Sequence, residues 1–184
     1  MLEIIVNFKS YILKPEIQNQ LKECFEGIKE TLLEIKPGYK YGLKLVNKKT
    51  NESWLSSTDD LKGRENSLKS TLKRRNEWHG PWLDTFGDLN EDEILDQIEF
   101  IPYGNINDIL IEDILNQPVS VPTALKIKNL FLEIFRSYLK DQKTTNDQIN
   151  AYRKMIDDFF DTNNKYLRLI NLVDIIDSKG KESK

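Results

Sequence analysis

A helix-patterned segment of the chain ends in the stretch Glu77-Trp78-His79-Gly80-Pro81-Trp82, which holds two of the three tryptophans and the only histidine. A Gly-Pro pair stops a helix, and the chain turns there between two large rings that favour burial. We therefore predict a structural turn that consists of Trp78, His79, Gly80, Pro81 and Trp82.

The charge of the chain changes sign across this turn. Between Lys36 and Arg75 there are eleven Lys and Arg residues against four acids, whereas the segment from Leu83 to Gln117 holds ten acids and no basic residue. One interpretation is a basic surface for a phosphate-bearing or acidic partner. The other is that the two segments are neighbours whose fields offset each other, or that they are simply solvated faces. The second accounts well for the basic segment, because a basic segment balanced within one small domain projects little net field.

The acidic segment supplies the candidate partner-binding residues, which are Asp88, Glu91, Asp92, Glu93, Asp96 and Glu99. Acidic patches give fast, salt-sensitive association with a basic partner surface. The same carboxylates lack the Asp/Asn alternation and the glycine of a calcium-binding loop, so we predict no metal site there. Because the acids repel one another, we expect added salt to stabilise the isolated chain.

Residues 1–57 predict a small lobe of sheet and helix. Apolar and polar side chains alternate from Leu2 to Phe8, which favours a half-buried strand. A helical apolar stripe runs from Pro15 to Ile35. Alternation from Tyr39 to Leu45, followed by a return strand around Trp54, indicates a hairpin that we place beside the first strand.

Residues 58–176 predict a helical bundle. Thr58-Asp59-Asp60 is an N-cap signal, Thr145 with Gln148 forms a capping box, and Pro102-Tyr103-Gly104 is predicted to break the chain. The predicted helices run from residue 61 to near Trp78, over Glu91–Ile98, over Asn107–Asn116, over Thr123–Lys140, through Ile149 to Phe159 and through Tyr166 to Ile176. Residues 177–184 are predicted to be a disordered tail.

The segment Thr123–Lys140 carries two apolar stripes, which is typical of the central helix of a bundle. The first stripe is Ile127, Phe131, Ile134 and Tyr138, and the second is Leu125, Leu132, Phe135 and Leu139. We expect Trp82 to be largely buried against Phe131 and Phe135. The predicted fold is α+β and predominantly α, with a small N-terminal antiparallel sheet and a helix followed by the bundle, in one compact domain.

Composition indicates a globular intracellular protein. A net charge of −3 gives no overall positive field for nucleic acid, and a single cysteine excludes an internal disulfide framework. No apolar run approaches the roughly 18 residues of a membrane span, and the N-terminus lacks the pattern of a signal peptide. We predict a cytoplasmic protein that binds a protein partner, with no cofactor, no membrane and no nucleic acid; a small-molecule ligand is left open.

A cysteine-protease site would need a thiolate near a histidine, and Cys24 and His79 are the only cysteine and the only histidine. Cys24 lies on an apolar helical stripe beside Phe25, where a thiol behaves as a small hydrophobe and ionises with difficulty. His79 stands at a helix end before Gly80, which packing or C-terminal capping explains. No phosphate-binding glycine loop occurs. We therefore predict no catalytic, cofactor-binding or metal-binding residues.

One segment resembles a known protease family. The residues that carry the resemblance are Leu68, Leu72, Trp78, Gly80, Pro81, Trp82 and Phe86-Gly87. They are similar to the part of separase-type cysteine proteases in which a helix ends in Trp-Leu-Gly-Pro-Trp before a leucine-rich turn. Asn107–Leu115 and the helix from Thr123 resemble the paired helices that follow, so the similarity covers about residues 52 to 135.

The resemblance implies the helical, substrate- or partner-facing part of a caspase-like protease. The catalytic His and Cys of the family lie on a sheet further toward the C-terminus and have no counterpart among these residues, so the resemblance assigns no catalytic residue here. His79 and Leu83 also depart from the leucine and the basic residue that the family usually has at these places.

Three functional hypotheses follow. The first is a non-catalytic protein-interaction domain of the kind found in a separase-like protease. The second is a stand-alone acidic binding protein, of the inhibitor or toxin-immunity type, that masks a basic partner surface. The third is an enzyme that uses carboxylates alone.

Overall fold

The computed structural model describes residues 7–33, 36–90 and 92–182, and the chain divides into two compact units. The first unit joins Met1–Thr31 to Ser120–Lys184, and the second is Leu32–Val119. The predicted lobes, 1–57 and 58–176, do not coincide with these units, because the N-terminal helices pack with the C-terminal ones. The predicted fold class, α+β and predominantly α with a small antiparallel sheet, is confirmed.

The elements follow one another along the chain in this order: α1 (Phe8–Ile12), α2 (Pro15–Gln20), α3 (Lys22–Leu33), β1 (Tyr41–Asn47), β2 (Ser53–Thr58), α4 (Leu61–Leu72), a 3-10 turn (Arg75–Glu77), α5 (Pro81–Phe86), β3 (Ile98–Tyr103), a second 3-10 turn (Ile106–Asp108), α6 (Ile111–Leu115), β4 (Pro118–Ser120), α7 (Val121–Asp141), α8 (Asn146–Phe160), β5 (Tyr166–Arg168) and α9 (Leu169–Glu182).

The second unit is built on a three-stranded antiparallel sheet in the order β2-β1-β3. The predicted hairpin of β1 and β2 is confirmed, with Leu45 opposite Trp54. The third strand is β3, in which Phe100 faces Leu45. The strand predicted at Leu2–Phe8 lies outside the described residues as far as Val6, and Phe8 begins helix α1.

Strand β3 corrects the prediction of a helix at Glu91–Ile98 and a chain break at Pro102-Tyr103-Gly104. Residues 92–97 form turns, and the strand begins at Ile98. β3 is an edge strand, where a proline is tolerated because one side of the strand makes no ladder hydrogen bonds. The prediction treated Pro102 as a helix breaker, although it is also compatible with an edge strand.

The other edge of the sheet is held by a buried amide side chain. Gln117 accepts a hydrogen bond from the backbone N–H of Leu55 in β2 and donates one to the carbonyl oxygen of Leu32, both at 3.1 Å. A buried amide with both ends bonded adds about 1 kcal/mol per hydrogen bond and fixes its neighbours in place. Gln117 therefore ties β2 to the end of α3.

The core of the second unit lies between one face of the sheet and helices α4 and α5. Its buried side chains include Leu43, Leu45, Leu68, Leu72, Trp78, Phe86, Ile94 and Ile98. Asp60 begins α4 as its N-cap, because its carboxylate accepts the N–H of Gly63 at 3.0 Å. The predicted N-cap is thus confirmed, whereas the helix ends at Leu72 rather than near Trp78.

The first unit is helical. The long helix α7 and the Thr145–Gln148 capping box at the start of α8 are confirmed. The helix predicted from Pro15 is interrupted at Leu21, between α2 and α3. α3 approaches α7 closely at Gly27, where an added Cβ would lie 2.9 Å from a methyl group of Leu130.

The predicted disordered tail is also corrected, because α9 continues to Glu182. Asp177 is buried and accepts hydrogen bonds from the backbone N–H groups of Phe8 and Lys9, the latter at 3.1 Å. Burial raises the pKa of Asp177 despite these hydrogen bonds. The tail was predicted from its charged composition, which does not reveal that one aspartate binds the first turn of α1.

Candidate functional site

The Trp78–Trp82 turn is built around a backbone that only glycine adopts readily. Gly80 has φ 58°, in the half of the Ramachandran plot that other residues avoid, and Pro81 is the first residue of α5. Trp78 is buried, and its indole N–H donates to the carbonyl oxygen of Thr71 at 2.9 Å. His79 is exposed, with Nδ1 3.0 Å from the carbonyl oxygen of Glu77. These contacts give the turn a structural role.

Trp82 is not buried where we predicted. It is half-buried in the second unit, with its ring centroid 5.0 Å from that of Trp54 and 5.6 Å from that of Phe86. Phe131 and Phe135 belong to the first unit, where both pack edge-on against the ring of Phe8. The expectation that Trp82 is largely buried is therefore wrong, and the aromatic rings that pack against it are Trp54, Trp78 and Phe86, all in the second unit.

Among the predicted partner-binding acids, Asp88 has a structural role, because its carboxylate contacts other side chains of the second unit. Its carboxylate accepts a hydrogen bond from the amide of Asn47 at 3.0 Å and lies 3.2 Å from the ammonium of Lys49. Desolvation by burial raises the pKa of Asp88, but the hydrogen bond from Asn47 and the nearby Lys49 outweigh it, and the net shift is downward. Asn47 is fully buried and also donates to the carbonyl oxygen of Thr85 at 2.8 Å. Asp88 thus helps to fix the β1–β2 turn.

The other predicted acids are at the surface. Asp92, Glu93 and Asp96 lie in the turns before β3, and Glu99 lies in β3 itself. All four are exposed, and within the described parts of the chain none of their carboxylates forms an ion pair. Glu91 lies outside the described residues. The structure therefore groups four of the six predicted acids around the start of one edge strand.

The basic and acidic segments are neighbours within the second unit. Lys44 forms an ion pair with Asp113 at 2.8 Å, Lys48 donates to the carbonyl oxygen of Asp96 at 2.9 Å, and Arg75 donates to that of Leu89 at 2.6 Å. Of these three contacts, the Lys44–Asp113 pair joins opposite charges, whereas the other two end on backbone carbonyl oxygens. The two segments therefore contact each other, and the interpretation that they offset each other's fields stays a prediction.

Cys24 is a buried thiol, 8% exposed, as predicted. Its Sγ–H donates to a carboxylate oxygen of Glu133 at 3.1 Å. Burial, followed by this hydrogen bond and the negative charge of Glu133, raises the pKa of Cys24 to about 11. The thiol is therefore protonated at neutral pH, which disfavours a nucleophilic role. His79, the histidine that a cysteine-protease site would need, belongs to the second unit, whereas Cys24 belongs to the first.

A surface that we did not predict lies between α7 and α8. We call it the basic groove, and it has a volume of about 530 Å³. Its floor is apolar and consists of Leu132, Phe135, Leu139 and Ile149. Its walls carry Arg136, Lys140 and Lys143 on the side of α7, and Arg153 on α8. All four cationic residues are exposed.

The basic groove has one acidic residue in its wall, Asp157, whose charge is already offset. The ammonium of Lys128 lies 2.6 Å from this carboxylate. By contrast, in the described part of the chain none of Arg136, Lys140, Lys143 and Arg153 takes part in an ion pair. The groove therefore combines an apolar floor with a surplus of positive charge.

A second groove lies on the other side of α8, against α9. We call it the apolar groove; it has a volume of about 590 Å³ and is lined by Tyr152, Met155, Phe159 and Ile175, among others. Ile175 is 38% exposed. Helix α8 is thus bordered by an open groove on each side.

The sequence contained a signal for these grooves that we interpreted differently. The second apolar stripe of α7 was expected inside the bundle, but Leu132 is half-buried and Leu125 is 48% exposed. The stripe of α8 is covered only at Ile156 and Phe160. Cationic residues spaced at 136, 140 and 143 beside an apolar stripe indicate an open, charged surface rather than a core.

Within residues 7–33, 36–90 and 92–182, no group of three His, Cys, Asp or Glu residues is arranged to hold a metal ion. No helix in this part of the chain is long and apolar enough to cross a membrane. No protein-family model, no curated protein and no solved structure matches the chain. The resemblance to separase-type proteases therefore stays a prediction from sequence.

Proposed function

We propose that the chain is a non-catalytic protein-interaction domain that binds a partner through α8 and the two grooves beside it. The observation that carries the proposal is the incomplete covering of this helix. Ile156 and Phe160 are buried, whereas four further apolar side chains, Ile149, Tyr152, Met155 and Phe159, are only half-buried.

Apolar surface that stays in water costs about 25 cal/mol per Å² relative to burial. A helix that serves only the core of its own domain gains most when its whole apolar stripe is covered. On α8 the stripe is wide enough to line two grooves of about 530 and 590 Å³. A partner that fills one of them would bury this surface in the way that amphipathic helices enter hydrophobic grooves.

The non-catalytic part of the proposal rests on the state of the one thiol. Cys24 is buried, protonated and hydrogen-bonded to Glu133. The exposed His79 belongs to a different unit and contacts the backbone of its own turn. Neither residue has the environment of an activated nucleophile or base.

A photo-crosslinker that is attached to an introduced cysteine on α8 tests the proposal. Ala151 is exposed and lines the apolar groove, so an Ala151→Cys variant places a reactive thiol on the proposed face, while Cys24 is too buried to compete. In an extract of the source cells we expect one identifiable protein to crosslink, and a second change, Met155→Asp, to abolish the crosslink. The matched control is Lys62→Cys on the exposed face of α4. Equal crosslinking from both cysteines, or no effect of Met155→Asp, would contradict the proposal.

A second candidate function is the masking of a basic partner surface by an acidic one. It is supported by the exposed carboxylates of Asp92, Glu93, Asp96 and Glu99, which have no ion-pair partner among the described residues. The triple variant Asp92→Asn, Glu93→Gln, Asp96→Asn separates the two candidates. If this variant removes the binding of the partner and Met155→Asp does not, the acidic surface is the docking face.

A further inference from the structure

We infer that the basic groove binds an acidic amphipathic helix of a partner protein. This inference rests on the proposed interaction function, which it makes specific by assigning the chemistry of the partner. Three features of the groove support it: its length and apolar floor, its unpaired positive charge, and an unfavourable backbone conformation that places one of its lysines.

The floor of the groove has the dimensions of a docking surface for a helix. Its α7 side runs along the helix from Leu132 to Lys140, eight residue steps, which correspond to about 12 Å at 1.5 Å per residue. This length accommodates about two turns of a partner helix. Leu132 and Ile149 are half-buried and offer aliphatic surface to the apolar stripe of such a helix.

The charge of the groove selects an acidic partner. Arg136 and Lys140 are spaced i, i+4 on α7, where like charges repel each other and destabilise the helix. Lys143 and Arg153 add positive charge at the same groove, and the carboxylate of Asp157 is engaged by Lys128. Carboxylates along the flanks of a bound helix would relieve this repulsion and form charge-assisted hydrogen bonds.

Lys143 occupies a position that would suit glycine. It lies two residues beyond α7 with φ 50°, in the left-handed region, where a helix commonly ends in glycine. A side chain there is disfavoured, because its Cβ crowds the following carbonyl oxygen. The lysine side chain nevertheless lines the groove, so the chain carries this cost at a position where the side chain would contact a bound partner helix.

A single-stranded nucleic acid fits the groove less well than a helix. Single-strand binders stack bases on exposed aromatic faces, but the aromatic ring of the floor, Phe135, is 1% exposed. The floor therefore offers aliphatic contact and no stacking surface. An oligonucleotide is accordingly included in the test as a competitor.

The test uses two labelled peptides and the whole chain. Each has fifteen residues of high helix propensity with leucines at i, i+3, i+7 and i+10; one carries glutamates beside the leucines and the other carries lysines there. By fluorescence anisotropy in 50 mM sodium chloride, we expect the glutamate peptide to bind at least about 10-fold more tightly, and to weaken as salt is raised to 300 mM.

Charge-reversal variants locate the site. Arg136→Glu and Lys140→Glu are each expected to weaken the binding of the glutamate peptide about 10-fold and to strengthen the binding of the lysine peptide. The matched control is Lys126→Glu, an exposed position on α7 outside the groove, which should change affinity less than about 2-fold. Circular dichroism melts of each variant confirm that the fold is kept.

Several outcomes would overturn the inference: equal binding of the two peptides, no effect of Arg136→Glu and Lys140→Glu, or displacement of the glutamate peptide by a single-stranded oligonucleotide at lower concentration than by unlabelled peptide. If the peptides fail while the crosslink from Ala151→Cys persists, only the inference about the basic groove falls. If that crosslink is also absent, the proposed function falls with it.

Discussion

The ammonium nitrogen of Lys44 on β1 lies 2.8 Å from a carboxylate oxygen of Asp113 on α6, and both side chains are largely shielded from solvent, at 17% and 13% exposure. The phenol of Tyr103 on β3 donates to the other oxygen of the same carboxylate. Burial and this hydrogen bond raise the pKa of Tyr103. One carboxylate therefore joins the middle strand, the edge strand and a helix of the second unit.

Replacing Asp113 by alanine leaves two partly buried donors without their acceptor. We expect Asp113→Ala to lower the free energy of unfolding by about 2–3 kcal/mol, measured by urea titration, because each lost hydrogen bond involves a charged group. The control is Lys49→Ala, which removes an exposed pair with Asp88 and should cost less than about 1 kcal/mol. Equal effects of the two variants would show that Lys44 and Tyr103 find water instead.

The aromatic cluster at the turn predicts a graded response to truncation. Phe86 is fully buried, so Phe86→Ala should lower the free energy of unfolding by about 3–5 kcal/mol. Trp82 is only half-buried, so Trp82→Ala should lower it by less, about 2–3 kcal/mol. The comparison uses urea titrations of both variants. A loss below about 1 kcal/mol for Trp82→Ala would place its ring at the surface and make it a candidate binding residue.

The thiol of Cys24 predicts a specific dependence on pH. Its pKa rises from 9.0 to about 11 in the folded state, so stability that depends on the neutral thiol is complete below pH 9 and is lost as the pH rises through 11. Alkylation of the native protein by iodoacetamide should be slow at pH 8 and should accelerate toward pH 11. Glu133→Gln should move this profile to lower pH, because it removes the negative charge beside the thiol.

Cys24→Ala provides the functional arm of this test. We expect a stability loss of roughly 1 kcal/mol and no change in partner binding, because the thiol fills space in the helical unit. Rapid alkylation of the native protein at pH 8, accompanied by loss of an activity, would contradict both this prediction and the non-catalytic function.

Lys143→Gly is expected to change stability and binding in opposite directions. Removing the side chain from a left-handed residue should raise the free energy of unfolding by about 0.5–1 kcal/mol. The same change should weaken the binding of the glutamate peptide, because one of the four cationic side chains of the basic groove is lost. Thermal melts and anisotropy titrations of one preparation measure both effects. A variant that is both less stable and unchanged in binding would assign Lys143 a purely structural role.

Local sequence signals predicted the parts of the fold that depend on residues close together in the sequence. The N-cap Asp60, the capping box of Thr145 with Gln148 and the apolar period of α7 each act within a few residues. The third strand was missed because Ile98 to Tyr103 contains Pro102, and only the pairing with β1 shows that this segment lies at a sheet edge. The helical end of α9 was missed because Asp177 bonds to residues almost the whole chain length away.

The site was less predictable than the fold, since exposure is a tertiary property. The apolar stripe of Leu125, Leu132, Phe135 and Leu139 indicates a buried face, but whether a further helix covers it cannot be read from α7 alone. Asp88 was grouped with the other acids by charge, and the structure separates it because Asn47 and Lys49 contact it. Charge patterning therefore located the exposed acids before β3 and did not locate the grooves beside α8, while packing decided which of the acidic side chains remain without a contact among the described residues.

The two edges of the small sheet differ from those of an ordinary open sheet in their ability to recruit another chain. An unpaired edge strand is a template on which a foreign strand can align, and aggregation commonly begins there. In β2 the N–H of Leu55 is already occupied by Gln117, and in β3 Pro102 has no N–H to offer. At both positions an incoming strand would find no free N–H group to bond to. The sheet can therefore end at three strands, without further strands to cover its edges or to close it into a barrel.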